Sequence, residues 1–561
     1  GNRAHWRKGN WTTTAQTAAR MLRSGGASEL LKDGAKIYSG VDESTIRNIE
    51  ACKQLANITR TSLGPNGMNK MVINHLDKLF VTHDAATIMD QLEVHHPAAK
   101  MIAMAAKSQE EEVGDGTNFV VVVAGELLSK AADLITLGLH PAEIVEGFSA
   151  ACDFTLEQLK ELASTKLEDV RDFDQVNLAL STVLSSKLFG YEDVIGPIVS
   201  RACIGVCPPN PKHFNVDNIR VLKVEGSSLR QTQLVKGIAF KRDAIGTIKR
   251  MSGAKLAIFS CGLEPSSTDT KGVIELKDAE DVKNYNKSEE DAMKKVVDEL
   301  FEAGVNVVVA SGNITDMAMH FLELRGIMAV KLPSKFELRR LCKATNAVAM
   351  VRMGAPLPEE AGFCDEVYVE EIGDTKCVVF NRIDEESQVN TIIVRGATHN
   401  FMDDVERAVD DAVNIYKRLC RDPALVCGAG ATEIELSLRL KEKASKCPGL
   451  DQYSIAKFGE AFEAIPRALC ENAGMNATDI LSSLYAAHKA GRTDAGVDVL
   501  EHDITDVRGK IMDAYESRFW GIRLAADAAM NILRVDQIIM AKPAGGPNPN
   551  AAKQMGAGGG R

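Results

Sequence analysis

The stretch NVVVASGNITDMAMHFLELRGIMAVKLPSKFELRRLCKATNAVAMV, residues 306–351, alternates short apolar runs with amphipathic segments. Its three consecutive valines, Val307 to Val309, are typical of a strand that is buried on both faces. The alternation begins earlier, and it predicts strands at Leu256–Ser260, Asn306–Ala310, Ile327–Leu332 and Ala347–Val351, with helices at Glu289–Glu302, Ile314–Leu324 and Lys335–Thr345. A series of this kind predicts a parallel sheet with right-handed crossovers.

The chain on both sides of this α/β segment is predicted to be helical, because apolar residues recur there at a spacing near 3.6. The predicted helices before it are Ser44–Ser62, Pro97–Gln109, Asn118–Leu137 and Pro141–Leu162. After one more strand, Thr391–Arg395, they are Asp403–Leu419, Thr432–Lys446, Gly459–Asn472 and Trp520–Val535. The simplest explanation is one helical domain formed by both ends of the chain, with an α/β domain inserted between them.

The composition is that of an ordinary globular protein, with 561 residues, 45% hydrophobic and 25% charged. This length implies two to four domains. The formal net charge of −11 argues against a nucleic-acid-binding protein, which usually carries a basic face. The apolar runs are far shorter than the roughly 18 residues of a membrane span, so we expect no membrane partner.

The twelve cysteines are scattered along the chain. Cys203 and Cys207, with His213 nearby, come closest to a zinc-binding pattern, but a structural zinc site needs four closely spaced ligands. We therefore interpret the cysteines as reduced thiols, which suits the cytosol.

Residues 1–24 are basic and free of acidic residues, as in a transit peptide, although a disordered or non-native extension is the favoured interpretation. Residues 542–561 are rich in glycine and are predicted to be disordered.

Three short segments combine glycines or carboxylates in a way that suits a phosphate-bearing ligand. Leu63 to Met68 places two glycines around a proline after a helix, which lets backbone N–H groups approach an anion, although it is not a Walker A loop. Gly114 to Asn118 precedes a helix, so Asp115 is placed to bind Mg²⁺ and Thr117 to hold phosphate oxygens. Asp84, before another helix, is either a site carboxylate or only a helix cap.

Two further turns lie in the second helical part. Asp410 and Asp411 lie in a helix that leads to Gly428–Glu433, a glycine turn suited to close approach by a flat or phosphate-bearing ligand. Gly496 to Asp498 is predicted to be a turn whose carboxylate accepts hydrogen bonds from ribose hydroxyls. Each of these segments alone also fits an ordinary turn or helix cap, so their order along the chain is more informative than any one of them.

That order resembles the group II chaperonin family, which includes the eukaryotic TRiC/CCT ring complexes. The matching segments are TSLGPNGMNKM (61–71), VTHDAATIM (81–89), EEVGDGTNFV (111–120), IVRGATHN (393–400), GAGATEIEL (428–436), AIPRALCENAG (464–474) and ILRVDQIIMAKPAGGP (532–547). The resemblance covers residues 25–547. It implies a multidomain α and α/β fold with a helical equatorial domain (25–163 and 411–541), a hinge-like intermediate domain (164–226 and 377–410) and an inserted α/β apical domain (227–376). A charged helix, Asp278 to Glu299, is then a protrusion that serves as a lid.

The resemblance also implies an ATP/ADP site that uses Mg²⁺. In it Asp115 holds Mg²⁺, while Asp84 and Asp411 flank the γ-phosphate, and Asp411 orients or deprotonates the attacking water. The implied nucleotide contacts are Leu63, Gly64, Pro65, Gly116, Thr117, Asn118, Phe119, Ser185, Lys187, Gly428, Gly430 and Asp498. The implied client contacts are Arg339, Arg340 and Lys343, whereas most apolar residues of their helix are expected to cover the sheet.

By the same resemblance, the chain is one subunit of a cytosolic double ring with eight subunits per ring, in which ATP hydrolysis closes the lid over unfolded clients such as actin and tubulin. Asn66, Asn118 and Ala429 depart from the family pattern, and Asn66 replaces a lysine. We therefore expect weaker ATP binding or turnover than in neighbouring subunits. Two alternatives stay open: a non-catalytic scaffold subunit of the same ring, and a monomeric metabolic ATPase or small-molecule kinase, although no second substrate pocket is evident in the sequence.

Overall fold

The structure is a computed structural model that describes residues 36–39, 41–74, 76–163, 165–264, 279–382 and 389–540. The predicted terminal segments 1–24 and 542–561, and Asp278 at the start of the predicted protrusion, lie outside the described residues. The described helices are α1 (Val41–Arg60), α2 (Ala85–Gln91), α3 (Pro97–Glu112), α4 (Thr117–Thr136), α5 (Pro141–Leu162), α6 (Phe173–Lys187), α7 (Glu192–Val206), α8 (Ala279–Glu302), α9 (Asp316–Leu324), α10 (Lys335–Thr345), α11 (His399–Leu419), α12 (Ala431–Lys446), α13 (Asp451–Ala461), α14 (Ala464–Asn472), α15 (Ala477–Lys489) and α16 (Tyr515–Leu533).

The first hydrophobic core joins the two ends of the chain. Helix α4 lies at its centre and is buried on nearly every side, as expected of a helix whose apolar residues are not confined to one stripe. Helices α1, α3 and α5 pack around it from the N-terminal part, and α12, α13 and α16 from the C-terminal part. Gly125 lets α1 approach α4 closely, because a Cβ atom there would lie 2.3 Å from Cβ of Ala56.

The described strands are β1 (Lys36–Ser39), β2 (Lys70–Ile73), β3 (Leu79–Thr82), β4 (Thr165–Lys166), β5 (Ile219–Glu225), β6 (Gln233–Phe240), β7 (Ala244–Ile245), β8 (Arg250–Phe259), β9 (Val307–Ala310), β10 (Met328–Lys331), β11 (Gly362–Ile372), β12 (Thr375–Asn381), β13 (Asn390–Gly396), β14 (Ala424–Cys427), β15 (Ala495–Asp498), β16 (Asp503–Asp506), β17 (Met512–Ala514) and β18 (Gln537–Met540). Nine of them form one sheet in the order β5-β13-β6-β12-β11-β8-β9-β10-β7.

This sheet is mixed, and the prediction of a parallel arrangement is confirmed for the three strands of the predicted series that form. Strands β8, β9 and β10 are parallel, as predicted, and β5 is parallel to β13. The other neighbours are antiparallel. The reason is the connection length: only two residues join β11 to β12, and a parallel pair needs a far longer crossover.

Two local predictions are corrected by the structure. Ala347–Val351 is not a strand, because only Met350 forms a bridge, with Phe259, and its neighbours Val348 and Val351 are exposed. The predicted helix Gly459–Asn472 is two helices, α13 and α14. Pro466 lies in the first turn of α14, where proline is tolerated but cannot continue a preceding helix.

The lid helix is anchored at one end, and one turn differs from expectation. Met293, Val297 and Leu300 in the C-terminal half of the charged helix α8 are buried in the core on one face of the sheet. Gly496–Asp498, predicted to be a turn, belongs to strand β15, which forms a hairpin with β16.

A second core surrounds α11 and positions the remaining site residues. Helices α6 and α7, strands β5 and β13 and the buried face of α11 form it, and Tyr416 packs edge to face on Phe214 with ring centroids 4.9 Å apart. The predicted boundaries at 376/377 and 410/411 fall inside β12 and α11 respectively. The chain therefore passes between the proposed domains within continuous elements, so a movement of the second core carries the residues of α11 with it.

Candidate active site

A cavity of about 1260 Å³, including its open mouth, lies between α4 of the first core and α6 of the second. Its size suits a small-molecule ligand. The residues that line it come from segments that are far apart in the sequence. The predicted site residues that line it are Leu63, Gly64, Pro65, Asp84, Asp115, Gly116, Thr117, Asn118, Phe119, Ser185, Lys187 and Gly430.

Two helix N-termini open onto this cavity, each preceded by a glycine in the left-handed region. Gly116, with φ +83°, precedes α4, and Gly430, with φ +80°, precedes α12. A Cβ atom at Gly430 would lie 2.8 Å from Cβ of Pro466, so only glycine fits there without strain. The N–H groups of both first turns carry partial positive charge, which favours an anionic ligand.

Lys187 connects two of the predicted carboxylates. It is the last residue of α6; its Nζ lies 2.9 Å from Oδ1 of Asp84 and also contacts Oδ2 of Asp411. Asp84 is at the same time the N-cap of α2, accepting a hydrogen bond from the N–H of Thr87 at 3.1 Å. Asp84 is therefore placed both to cap helix α2 and to serve as a site carboxylate.

Burial and mutual charge set the electrostatics of this cluster. Burial opposes ionisation of Asp84, but Lys187 and the hydrogen bonds from Thr87 outweigh it and hold its pKa well below the usual range. Burial also opposes protonation of Lys187, yet Asp411 and Asp84 raise its pKa above the ordinary value. The pKa values of Asp411 and Asp115 are raised, first by burial. One ammonium thus serves several carboxylates, which leaves negative charge that a bound cation would compensate.

A second ion pair, on the opposite wall, was not among the predicted site residues. Arg518 on α16 lies with Nη2 2.5 Å from Oδ2 of Asp513 and with Nη1 3.2 Å from Oε1 of Glu433. Its guanidinium carbon lies 4.7 Å from the ring centroid of Phe119. Asp513 and Arg518 flank the junction of β17 and α16, which contains no glycine turn. A search for opposite charges around predicted helix starts would have found them.

The chain matches the model of the TCP-1/cpn60 chaperonin family over residues 55–543. It belongs to this family. It is 49% identical over 536 residues to T-complex protein 1 subunit theta of Arabidopsis thaliana, which covers 95% of this chain and 98% of the relative. It is 48% identical over 541 residues to the theta subunits of Homo sapiens and Bos taurus, covering 96% of this chain and 98% of each. The predicted family and its multidomain fold are thereby confirmed.

Three predicted site residues of this chaperonin lie beside the cavity or away from it. Asp411 reaches the cavity wall through Lys187. Gly428 packs behind the wall, because a Cβ atom there would lie 3.0 Å from Cγ2 of Ile511. Asp498 does not line the cavity; its Oδ1 accepts hydrogen bonds from the N–H groups of Leu500 and Glu501, at 2.9 and 3.1 Å. The lining carboxylate in this region is Asp513.

The three departures from the family pattern have different structural settings. Asn66 lies half-buried in the loop after α1. The amide of Asn118 donates to the carbonyl oxygen of Thr59 at 3.1 Å, so it ties the start of α4 to the end of α1. Ala429 has φ +53°, in the region that disfavours residues with a Cβ atom.

The predicted client residues lie on α10, in the α/β part of the chaperonin. Arg339 is exposed, Arg340 is half-buried, and Nζ of Lys343 donates to Oδ1 of Asn218 at 2.5 Å. As expected, Leu338 and Leu341 are buried under the helix, whereas Phe336 is 72% exposed.

The arrangement of the carboxylates limits how a metal ion is held. Within the described ranges, no three His, Cys, Asp or Glu side chains are grouped to bind an ion by themselves. This holds also for Cys203, Cys207 and His213, and the described cysteines form no disulfide with one another. Mg²⁺ prefers few protein ligands and completes its shell with phosphate oxygens and water, so Asp115 with a nucleotide is a fitting donor set.

None of the helices in the part of the chain that the structure describes is long and apolar enough to cross a membrane.

Proposed function

We propose that this chaperonin is a theta-type subunit of a hetero-oligomeric, cytosolic double ring with eight subunits per ring, and that it binds and hydrolyses Mg-ATP to enclose and fold unfolded protein clients. One observation carries the proposal: Asp84, Asp115 and Lys187, from three distant segments, line a single cavity, and Asp411 joins them through Lys187. The relatives that support the assembly are named as theta subunits of T-complex protein 1.

The cavity offers distinct positions for the parts of a nucleotide. The phosphates would lie against the N-terminus of α4, where Gly116 and Thr117 present backbone and hydroxyl groups. The sugar and base would lie toward Gly430 and the Asp513 side of the wall, and we propose Asp513 in place of Asp498 as the acceptor for ribose hydroxyls. Bound with the nucleotide and held by Asp115, Mg²⁺ would neutralise phosphate charge.

Asp411 is the candidate general base. Its pKa is raised by burial, and a carboxylate with a raised pKa is better suited to take a proton from water near neutral pH. Lys187 fixes the carboxylates of Asp411 and Asp84 relative to each other. In this proposal Asp411 takes the proton from the attacking water, and Lys187 holds Asp411 and Asp84 in position.

The positions of the cores support a mechanism of closure. We assign the first core to the equatorial domain, the second to the intermediate domain and the sheet with α8 and α10 to the apical domain, with the boundaries predicted above. Asp411 lies on α11 of the second core, so rotation of that core moves it relative to Asp84 and Asp115. Thr82 donates to Oδ1 of Asp404 on α11 at 2.7 Å, a second link across the same junction.

Exposed apolar side chains support the proposed partners. On the β2–β3 hairpin, Met71 is 69% and Ile73 64% exposed, as expected of a surface that contacts a neighbouring ring subunit. On α10, Phe336 with Arg339 offers an apolar and a cationic group for unfolded clients of the actin and tubulin type. Arg340 and Lys343 are the other proposed client contacts on this helix.

Substitution of Asp411 in the assembled ring tests the proposal. Rings carrying Asp411→Asn in this subunit alone are expected to bind ATP there but to hydrolyse it in that subunit about 100-fold or more slowly, as for loss of a general base. Asp498→Asn removes the same charge outside the cavity and is the matched control, with unchanged hydrolysis expected. The left-handed Ala429 and the missing cation at Asn66 favour the scaffold alternative, and that alternative predicts that Asp411→Asn rings hydrolyse ATP and fold clients as the wild type does.

A further inference from the structure

A second cavity, which we call the basic cavity, lies under helix α10 and away from the nucleotide site. It has a volume of about 570 Å³. Its floor is formed by β5 and β6, and α10 covers it. The charged residues that line it are Arg220, Lys241, Arg242, Glu337 and Arg340. Arg220 and Arg340 are half-buried and Lys241 and Arg242 are exposed, and four cations against one carboxylate leave an excess of positive charge.

Three nearby carboxylates are engaged by lysines that do not line the cavity. Asp243, which follows Arg242 directly, lies 2.8 Å from Nζ of Lys249 and 3.1 Å from Nζ of Lys376. Asp403 and Glu406 of α11 both contact Nζ of Lys223, at 2.5 and 2.6 Å.

Arg220 is half-buried in the wall of the basic cavity. Burial lowers its pKa, the like charge of Arg340 lowers it further, and Glu406, Asp410 and Asp217 act in the opposite direction without outweighing them. In the part of the chain that the structure describes, no carboxylate lies within ion-pair distance of Arg220, Lys241, Arg242 or Arg340. Arginines held together without counter-charges are an arrangement suited to binding a multivalent anion.

We propose that the basic cavity binds a small anion with two or more phosphate groups, which Arg220 and Arg340 grip from the sheet side and the helix side. Guanidinium groups match phosphate oxygens through paired hydrogen bonds, and a compact polyphosphate carries enough charge to balance four cations in this volume. The concave shape and small size favour a small molecule over a protein segment. Bound there, the anion connects β5 to α10, so it restrains the helix that carries the proposed client contacts.

Glu337 gives the site a selective feature. Its Oε2 is buried without a hydrogen-bond donor among the described residues. A carboxylate in this position repels an anion but accepts a hydrogen bond from a hydroxyl group on the same ligand. Glu337→Gln is therefore expected to tighten binding of a plain polyphosphate.

Calorimetric titration of the full chain with tripolyphosphate tests the proposal, with Mg-ADP saturating the nucleotide site in both cell and syringe. Arg220→Gln and Arg340→Gln are each expected to weaken binding about tenfold or more, the effect of losing a charge-assisted hydrogen bond. Arg339→Gln removes the same charge from the adjacent position on α10, outside the basic cavity, and is expected to change affinity less than about twofold. Hydrogen exchange should show new protection in residues 233–242 and 335–345.

Three results would overturn the proposal. The first is no tripolyphosphate binding when Mg-ADP is present. The second is an equal loss of affinity in Arg339→Gln and Arg340→Gln, which would indicate general surface attraction. The third is tighter binding of an oligoglutamate peptide of equal charge, which would assign the cavity to an acidic protein segment. Because Arg340 lies on a half-exposed helix face, Arg340→Gln keeps the test valid even where Arg220→Gln impairs folding.

Discussion

Replacement of Lys187 by methionine should expose how strongly the site depends on one cation. The side chain keeps most of its length and apolar contact, so the substitution removes chiefly the charge. At 2.9 Å, and with an effective dielectric constant of about 20, the Lys187–Asp84 contact attracts by about 6 kcal/mol before desolvation is counted. Breaking a buried pair and leaving the partners unpaired typically costs about 3–5 kcal/mol. We therefore expect the free energy of local opening around Asp84 and Asp411 to fall by about 3–5 kcal/mol in Lys187→Met.

The pH dependence of this loss follows from the direction of the shifts. Lys187 has a raised pKa, so its contribution is complete below the unfolded value of 10.5 and is lost only as the pH rises above it. Asp84 has a lowered pKa, so its contribution is present above 3.8 and is lost as the pH falls below that value. Between pH 5 and 9 the contributions of Lys187 and Asp84 are therefore constant, whereas Asp411, whose pKa burial raises, destabilises the fold more as the pH rises. In Lys187→Met the raised pKa of Asp411 lets protonation relieve the repulsion, so the loss is expected to shrink as the pH falls.

Hydrogen exchange measured by mass spectrometry reports this opening locally, which suits a chain with several cores. Peptides covering residues 79–91 and 399–419 are expected to exchange at least about 100-fold faster in Lys187→Met at pH 7.5, as the free-energy loss implies. Lys130→Met is the matched control, because Lys130 forms longer ion pairs at 3.4 and 3.8 Å and is expected to cost at most about 1 kcal/mol. Equal exchange in the two variants, or a loss that does not change with pH, would refute the reasoning.

Three further substitutions address other parts of the chain. Asn66→Lys restores the cation that the family usually has in this turn and is expected to tighten ATP binding by about 0.5–2 kcal/mol in nucleotide titration; unchanged affinity and rate would remove the idea of a weakened site. Ala429→Gly relieves the left-handed backbone at φ +53° and is expected to raise the free energy of unfolding by about 0.5–1 kcal/mol, read from thermal melting, whereas a lower melting temperature would contradict it. His488→Leu removes the buried imidazole whose Nε2 donates to the carbonyl of Ala495 at 2.9 Å and whose Nδ1 lies 3.0 Å from Oε2 of Glu435, so it is expected to cost about 1–3 kcal/mol in denaturant unfolding, and a neutral effect would show that the network is dispensable.

The sequence by itself determined the local elements and the chemistry that they carry. Helix α5 runs over Pro141–Leu162 and α10 over Lys335–Thr345, as the apolar periodicity predicts. The glycine turns before α4 and α12 were likewise predictable, because turn chemistry and periodicity act over a few residues. The order of these motifs along the chain was enough to identify the family.

Only the tertiary structure decided which side chains meet. Lys187, which the resemblance implied as a nucleotide contact, is buried between Asp84 and Asp411, 103 residues from the first and more than 200 from the second. Asp513 lines the cavity where Asp498 was expected. The physical reason is the same in both cases: local pattern fixes the direction of a side chain relative to its own helix or strand, whereas its partners depend on how distant elements dock.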